Sequence, residues 1–420
     1  MGAASSRDLH RGKNDSRLEA APTSKPEPTV LKLTPRLNGH DTGQKQVNKK
    51  TMKIEKLKTP AFLVDLPKLK TNICAMQERA RIHGVRLRPH VKTHKTAEIA
   101  RLQIPDEASG ITVSTLAEAC FFQKAGFDDI TYAFPITPNK LDEAAELTGR
   151  LKQFHILLDQ FETATAVEAY GRDNNVCFSV FLKVDCGYHR AGVDPSRPES
   201  VHLVEQMQAS KHIQFQGILT HAGHSYHCRN REEIIGVAQQ ERDVMTEFGE
   251  RLKQNGIACE TVSVGSTPTA VHAPGWQGVS EIRPGNFAFF DKFQADIGSC
   301  SLEEAAATVL TTVVAHYPQH NHMLIDAGAL ALSKDPGAAH LDEKIVYGAV
   351  PGNPLLKIFS ISQEHGLITS RAPIAFENFP VGSLLQIIPN HSCLTAALFP
   401  RYHVVEGDQV VDEWRPMRGW

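Results

Sequence analysis

The sequence predicts an α/β protein: a closed (β/α)8 barrel of the TIM type, followed by a C-terminal, mainly antiparallel β domain. Predicted strands and helices alternate over roughly 230 residues, which is the order of a parallel sheet with crossover helices. Eight or nine such strands suit a closed barrel better than an open sheet. After about residue 295, predicted strands follow one another with only turn residues between them, which is typical of antiparallel pairing.

The alternating part can be followed element by element from residue 57. Apolar runs bounded by turn residues predict strands, and apolar residues at helical spacing predict helices. The predicted strands cover 61–65, 85–94, 110–115, 129–136, 154–159, 177–185, 215–223 and 261–266. The predicted helices cover 67–84, 96–102, 116–127, 140–151, 161–171, 198–209 and 230–254. We therefore assign the barrel to residues 57–294.

The last part of the chain is rich in strand-forming residues and shows no convincing crossover helix. The predicted strand segments cover 307–318, 322–328, 357–370, 383–390 and 401–414. We expect these segments to form a β domain over residues 295–420.

Composition excludes several functional classes. The 420 residues carry 45 Lys and Arg against 47 Asp and Glu, so nothing in the overall charge suggests nucleic acid or an acidic membrane surface as the main partner. No apolar run approaches the ~20 residues that span a bilayer, and no secretory signal precedes the barrel. The eight cysteines are irregularly spaced without a CxxC pair, which indicates reduced thiols and a cytoplasmic protein.

Residues 1–56 differ from the rest of the chain. They hold 12 Lys and Arg against 6 Asp and Glu and almost no aromatic residues, so we predict a disordered basic tail. The opening MGAASS fits the short pattern for N-myristoylation at Gly2. A transit peptide is an alternative interpretation, but the acidic residues argue against it.

The segment RPHVKTHK at 88–95 is the first candidate for chemistry. In an extended segment alternate residues share a face, so we expect His90, Lys92 and His94 to point the same way. A lysine that is desolvated beside other cations has a lowered pKa and becomes a nucleophile able to form a Schiff base. The alternative is a solvated basic strand end.

Two further motifs suggest anion binding. Gly265, Ser266 and Thr267 form a small turn after a strand, where backbone N–H groups make an anion cradle, although the pattern also fits an ordinary turn. Arg283 is followed by Pro and by Gly285, which allows close backbone approach. The arginine could hold an anion or donate to a heterocycle nitrogen, and a structural ion pair is equally compatible.

Two strand ends carry clusters of polar residues. One, at 183–192, presents Asp185, Tyr188 and Arg190, and the other, at 220–227, presents three histidines and Tyr226. The spacing of His221 and the two histidines after it resembles a metal motif. Steps of three residues do not align on a strand, however, so we do not expect a metal there.

The pair His391 and Cys393 follows another predicted strand. One residue separates them, so both side chains face one side if the segment is extended. An imidazole and a thiolate suit zinc, and two ligands leave coordination positions for water or substrate. A buried cysteine beside a turn histidine is the alternative.

Six motifs together carry a resemblance to a known family: TPAFLVDLPKLKTNI, LRPHVKTHKT, KVDCGYHRAG, GSTPT, EIRPGNFAFFD and PNHSC. In this order they resemble the eukaryotic-type D-serine dehydratases. These belong with the D-threonine aldolases to the alanine racemase-like enzymes that depend on pyridoxal 5′-phosphate (PLP), fold type III. The resemblance runs from about residue 58 to the C terminus and does not include the tail.

The resemblance implies a role for each motif. It implies that Lys92 carries PLP, that Arg283 faces its pyridine nitrogen, and that His391 and Cys393 bind Zn²⁺. The phosphate site would be formed by Gly265, Ser266 and Thr267 with the backbone of Gly285 and Asn286. The other implied cofactor-pocket residues are Tyr188, Arg190, His221 and Tyr226.

The resemblance also implies the α,β-elimination of D-serine to pyruvate and ammonia by a homodimer, with D-threonine as a second candidate substrate. D-Threonine aldolases typically carry a carboxylate where Cys393 stands, so this residue favours the dehydratase. Retro-aldol cleavage of D-3-hydroxyamino acids remains an alternative. A non-catalytic PLP-binding protein is another, although such single-barrel proteins lack a C-terminal β domain.

Overall fold

The computed structural model describes residues 52–104, 110–341 and 346–420. The acylation predicted at Gly2 and nearly all of the predicted tail, residues 1–51, lie outside these ranges. The described strands are β1 Met52–Lys53, β2 Ala61–Asp65, β3 Arg86–Leu87, β4 Ile111–Val113, β5 Asp129–Pro135, β6 Gln153–Leu158, β7 Phe178–Lys183, β8 Ile213–Leu219, β9 Thr261–Val264, β10 Glu281–Ile282, β11 Ala307–Tyr317, β12 His322–Ile325, β13 Leu356–Ile361, β14 Gly366–Ser370, β15 Leu384–Ile387, β16 Tyr402–Glu406 and β17 Gln409–Trp414.

The described helices alternate with the strands in the first part of the chain and are short in the second. They are α1 Leu66–Ile82, α2 Ala97–Gln103, α3 Leu116–Lys124, α4 Leu141–Arg150, α5 Phe161–Asn174, α6 Pro198–Ala209, α7 Arg231–Gln254, α8 Thr267–His272, α9 Lys292–Asp296, α10 Ala329–Leu332 and α11 Ser392–Ala397. Within the described ranges, no helix is long and apolar enough to cross a membrane.

Eight parallel strands form the barrel, in the order β3-β10-β9-β8-β7-β6-β5-β4. A parallel bridge between His90 and Thr112 closes the ring, and the Thr112 N–H donates to the Pro89 carbonyl at 2.9 Å. Since all eight strands run the same way, their carboxyl ends, and the loops that follow them, meet at one mouth.

The second sheet has nine strands, in the order β1-β17-β16-β2-β11-β12-β14-β13, with β15 paired to β11. Neighbours in this sheet pair in the antiparallel sense except β2 and β16, which are parallel. The helix that bears His391 and Cys393 at its start, α11, lies between β15 and β16 in the chain.

The structure corrects the assignment of the first predicted strand. Strand β2, expected in the barrel, pairs instead with β11 and β16 of the second sheet. The eighth barrel strand is β10, which was not predicted because only two of its residues pair. Residues 52–56 were assigned to the tail, yet β1 pairs with β17. The domain boundary at 294/295 stays a prediction.

The predicted strand 85–94 is also wrong in part. Only Arg86 and Leu87 form strand β3, and residues Val91–Thr93 form a turn of 3-10 helix. The turn rotates His94 out of line with Lys92, and the His94 ring is buried against Gln103 Oε1 at 2.9 Å. His94 is therefore a core residue, whereas His90 and Lys92 line one cavity, so the expected shared face forms for these two residues and not for His94.

A network of charged side chains connects four strands of the barrel. The Arg88 guanidinium donates to Glu281 Oε2 at 2.9 Å and to both Asp129 carboxylate oxygens at 2.6 and 2.8 Å. Glu281 also accepts from Arg86 at 3.0 Å and from Ser263 at 2.6 Å. Because each buried charge has a partner, the network links β3, β10, β9 and β5 without an isolated ion.

Candidate active site

A cavity of about 370 Å³ opens at the mouth of the barrel. None of the residues that line it is acidic. Four cationic side chains line it: Lys92, Lys183, Arg190 and Arg283. The imidazoles of His90 and His221 also face it, and burial, followed by the nearby cations, lowers the pKa of both. The cavity is therefore suited to an anionic ligand.

Lys92 lies in the 3-10 turn after β3, and its side chain is exposed to the cavity. Burial lowers the pKa of its ammonium group, with a further decrease from Arg190, while Cys393 and Glu118 act in the opposite direction. A lowered pKa increases the neutral fraction of the amine, the form that attacks a carbonyl carbon.

Lys183 is a second lysine of the cavity, and the sequence analysis missed it. It ends β7 and is 6% exposed, and no described side chain hydrogen-bonds its amine. Burial, followed by the charge of Arg283, lowers its pKa to about 7. The sequence could have indicated Lys183 as a site residue, because it is the last residue of a predicted barrel strand and the carboxyl ends of such strands face the mouth.

Arg283 follows β10, and its guanidinium reaches the ends of β8 and β9. Its guanidinium donates to the Ser263 hydroxyl and to the Thr220 and Val264 carbonyls, and one side faces the cavity. Burial lowers its pKa to about 10, although Glu281 and Glu241 act in the opposite direction. Neutral oxygens hold the group directly, and no carboxylate of the described residues forms the ion pair considered from the sequence.

The turn of Gly265, Ser266 and Thr267 follows β9 at the same mouth. Gly265 adopts a φ of +117°, and a Cβ there would lie 3.0 Å from the backbone nitrogen of Arg283. Ser266 caps α8 by accepting from the Thr269 N–H at 3.3 Å. Thr267 accepts from the Phe287 N–H at 3.2 Å, which ties this turn to the next one.

Glu241 stabilises this turn through hydrogen bonds, and the sequence analysis did not predict it. It is fully buried on α7, and one carboxylate oxygen accepts the N–H groups of Ala222 at 3.1 Å and Gly265 at 2.9 Å. The other oxygen accepts from the Thr269 hydroxyl at 2.9 Å. Burial raises the pKa of Glu241, although these donors oppose the shift. A glutamate inside the apolar stripe of α7 was the sequence signal, because this face carries Ile234, Ala238, Met245 and Phe248.

Gly285 and Asn286 begin a turn beside Lys92. A Cβ at Gly285 would lie 2.8 Å from the His90 carbonyl oxygen, so glycine permits the close approach. The Asn286 side chain points toward the starts of α9 and α11, where its nitrogen donates to Asp291 at 2.8 Å and Ser392 at 2.9 Å.

His391 and Cys393 meet Lys92 at the same mouth, although some 300 residues separate them from it in sequence. The Cys393 thiol donates to the Thr93 hydroxyl at 3.3 Å. Burial raises the pKa of this thiol, but its hydrogen bond to His391 and the imidazole charge outweigh burial, so the pKa is lowered overall. His391 Nδ1 contacts Asp335 Oδ2 at 3.2 Å, which leaves the other ring nitrogen for a ligand.

The remaining predicted pocket residues surround the cavity without all lining it. Arg190 faces the cavity, with its guanidinium 5.1 Å from the ring centre of Tyr188. The Tyr188 ring packs beside His221 and His224 and is not itself among the lining residues. Tyr226 hydrogen-bonds Thr267, and burial raises its pKa strongly.

The structure thus brings the predicted residues from five strand ends and the second sheet to one mouth. The described ranges contain no cluster of three or more His, Cys, Asp or Glu that could hold a metal, so the His391 and Cys393 pair stands without a third protein ligand there. Sequence reasoning missed Asp335 because it lies in a loop without a recognisable pattern.

Two family models match the chain. The alanine racemase N-terminal domain matches residues 64–292, and a putative serine dehydratase domain matches residues 306–405. Alanine racemase from Clostridium difficile is 14% identical and superposes with a TM-score of 0.61, covering 85% of this chain and 99% of its own. Fold and cavity thus define an alanine racemase-like barrel enzyme.

Closer relatives narrow this class. D-Serine dehydratase from Dictyostelium discoideum is 42% identical over 89% of this chain and all of its own length. D-threo-3-hydroxyaspartate dehydratase from Delftia sp. HT23 is 38% identical over 87% of this chain and 98% of its own. The solved structure of the Delftia enzyme has a TM-score of 0.84 at 37% identity, covering 88% of this chain and all of that one. The chain belongs to the D-serine dehydratase family of lyases.

Proposed function

We propose that the protein is a PLP- and zinc-dependent D-serine ammonia-lyase that converts D-serine to pyruvate and ammonia. The observation that carries the proposal is the meeting of the Lys92 turn with the His391 and Cys393 pair, through the Cys393 to Thr93 contact of 3.3 Å. Membership of the D-serine dehydratase family supports the same substrate.

The cavity fits PLP in size and charge. Lys92 would hold the cofactor aldehyde, and the turns of Gly265 and Gly285 would hold its phosphate, with the four lining cations balancing the negative charge. Arg283 would face the pyridine nitrogen as a donor, because a guanidinium has no acceptor. When bound, PLP supplies an electron sink for negative charge at Cα.

The donor set of His391 and Cys393 fits zinc. An imidazole and a thiolate are ligands that zinc prefers, and Asp335 fixes the imidazole ring as carboxylates do beside zinc-bound histidines. Solved structures of the Delftia enzyme include a cysteine-to-alanine variant described as metal-free. When bound, zinc supplies a Lewis acid for a substrate hydroxyl, since hydroxide is a poor leaving group.

The chain's own residues then divide the remaining work. The Lys92 amine takes the proton from Cα, on the face that the D configuration presents to it. Arg190 has no carboxylate partner among the described residues and would bind the substrate carboxylate. His90 and His221 line the same cavity, and burial lowers the pKa of both imidazoles. Loss of water and the later uptake of water balance the conversion of D-serine to pyruvate and ammonia.

The test is an absorbance spectrum of the purified protein, zinc analysis and a D-serine assay. We expect a PLP absorbance band, bound zinc, and pyruvate with ammonia in equal amounts. Lys92→Ala should abolish both the band and turnover, whereas Lys124→Ala, an exposed change on α3, should keep both. Chelation should stop turnover while the PLP band remains.

The outcomes that contradict the proposal are equally direct. A Lys92→Ala protein that keeps the band and the activity removes Lys92 from the mechanism. Full activity of the metal-free protein would show that zinc has no role in the mechanism. Glycine and acetaldehyde from D-threonine, instead of a 2-oxo acid, would identify the retro-aldol alternative.

A second candidate substrate is a D-3-hydroxyamino acid with an additional carboxylate. The cationic lining without an acidic residue favours it, and the Delftia relative is named a D-threo-3-hydroxyaspartate dehydratase. The same assay with D-threo-3-hydroxyaspartate would yield oxaloacetate and ammonia. A kcat/KM above that for D-serine would reassign the preferred substrate.

We also propose a cytoplasmic homodimer in which the barrel ends near residue 294 and the β domain over 295–420 is joined by strand β2 from the start of the chain. The family resemblance supports the dimer. Phe134, at the cavity wall, is 57% exposed in the single chain, which a partner subunit would cover. A mass near 93 kDa by light scattering, about twice the 46.3 kDa chain, is expected, and a monomer would overturn this part.

A further inference from the structure

Asn286 connects the predicted phosphate site, through its backbone, with the proposed zinc site, through its side chain. Its backbone belongs to the turn predicted to hold the cofactor phosphate, and the next residue, Phe287, donates its N–H to Thr267 of the other phosphate turn. Its side chain reaches residues 389–393, the segment with His391 and Cys393 that we call the metal loop, where its nitrogen lies 2.9 Å from Ser392 Oγ and 3.5 Å from Cys393 Sγ.

Asp291 completes the connection from the same segment. One of its carboxylate oxygens accepts from Asn286 Nδ2 at 2.8 Å, from the Ser392 N–H at 2.8 Å and from the Ser392 hydroxyl at 3.1 Å. Ser392 stands between the two proposed zinc ligands. The carboxylate therefore holds the peptide that spaces His391 from Cys393.

The backbone around Asp291 adds to this hold. The N–H groups of Lys292 and Phe293 donate to the carbonyls of Pro389 and Asn390, each at 3.0 Å. The three network side chains, Asn286, Asp291 and Ser392, are all at most 5% exposed. Removing one partner would leave buried polar groups unpaired, so the network behaves as a unit.

The Asn286 amide oxygen is buried and has no donor among the described residues. The amide is thus fixed through its nitrogen alone. A change in the turn that carries the Asn286 backbone must either move the side chain or break its bonds to the metal loop. Conversely, a metal that orders Cys393 orders the turn.

We propose that Asn286 and Asp291 are positioning residues that couple the phosphate turn to the metal loop, so that PLP and zinc each bind more tightly when the other is present. The inference rests on the proposed function. Such a coupling is reciprocal by thermodynamic linkage, and couplings of this kind change affinity by roughly 5- to 150-fold.

The experiment measures zinc affinity of the full chain by competition with a chromophoric chelator. It is done with PLP bound and again after PLP has been removed, and PLP affinity is measured with and without zinc. For the wild type we expect about a tenfold tighter zinc Kd with PLP, and the same factor for PLP with zinc. In Asn286→Ala, PLP and zinc should still bind, but the ratio of the zinc Kd without PLP to that with PLP should be close to one. The corresponding ratio for the PLP Kd without and with zinc should also be close to one.

Asp335→Asn is the matched control. The Asp335 carboxylate contacts His391 and the Gly337 N–H, and none of its contacts among the described residues is in the phosphate turn. It should weaken zinc binding by a similar factor in both states and leave the ratio unchanged. If Asn286→Ala fails to fold, Ser392→Ala serves instead, because it removes one hydroxyl and keeps the backbone N–H to Asp291. An intermediate ratio is then expected.

Two results would overturn the coupling: a ratio of one in the wild type, or an unchanged ratio in Asn286→Ala and Ser392→Ala. Failure of the proposed function looks different, because the wild type would then take up no PLP or no zinc at all. If PLP and zinc both bind to the wild type but neither changes the affinity for the other, the coupling is wrong and the proposed function stands.

Discussion

At the residue scale, the site depends on a few polar side chains whose surroundings change their acidity. Lys92 and Lys183 face the same cavity, and burial lowers the pKa of both ammonium groups. Cys393 has a lowered thiol pKa because His391 outweighs the effect of burial. The sequence predicted Lys92, His391 and Cys393 as residue types with suitable chemistry. It could not predict Asp335, since only the tertiary structure brings that carboxylate to His391.

Asp335→Asn tests the role of that carboxylate. The amide cannot fix the His391 ring as strongly, so we expect zinc affinity to fall by roughly 10- to 100-fold. The measurement is a chelator competition at fixed pH, with thermal unfolding as a check on folding. Wild-type zinc affinity in a well-folded variant would remove Asp335 from the metal site.

At the scale of elements, turns and helix starts place the site more than the strands do. The 3-10 turn Val91–Thr93 presents Lys92 and buries His94, which an extended strand could not do. Helix α7 contributes Glu241, whose carboxylate joins the loop after β8 to the loop after β9. Regular strands and helices were predictable from periodicity. Short turns were not, because their geometry depends on hydrogen bonds to distant residues.

Glu241→Ala should loosen the predicted phosphate turn. It leaves two buried N–H groups without an acceptor, each costing about 1–3 kcal/mol, and we expect PLP to bind about tenfold more weakly or worse. Glu241→Gln should retain most of the affinity, since its amide oxygen still accepts both N–H groups. Spectroscopic titration with PLP measures the effect, and Glu247→Ala, exposed on the same helix, is the control. Equal affinities for all four proteins would contradict this role.

At the scale of the whole molecule, two sheets contribute to the site, and the strand that leads into the barrel helix α1 belongs to the second sheet. Strand β2 precedes the barrel in sequence but pairs with β11 and β16 of the second sheet. The barrel is closed by the His90 to Thr112 bridge and by the buried charges of Arg88, Glu281 and Asp129. A local pattern cannot reveal either feature, because the paired segments are far apart in the chain.

The buried Glu281 should make stability depend on pH in the acid range. Arg88 and Arg86 outweigh the effect of burial and lower the pKa of Glu281 to about 2. A carboxyl with a depressed folded pKa stabilises the protein above its unfolded pKa, and this contribution, on the order of 3 kcal/mol, is lost as pH falls from about 4.5 to about 2.

Urea unfolding of the wild type and Glu281→Gln over this pH range measures the effect. The variant should be less stable at pH 7, where Arg88 has lost one partner, and the difference should shrink toward pH 2. A difference that stays constant with pH would mean that Glu281 contributes no titratable stabilisation.

The amino-acid sequence alone predicted the alternation that makes a barrel, the β-rich C-terminal part, and the residue types of the candidate site. These follow from local periodicity and from the chemistry of single side chains, which the chain carries wherever it folds. Only the tertiary structure decided that β2 leaves the barrel, that His94 enters the core, and that Glu241, Asp291 and Asp335 support the site. The pairing of β2 and the contacts of Glu241 and Asp335 join residues distant in sequence, and the packing of the whole chain selects such partners.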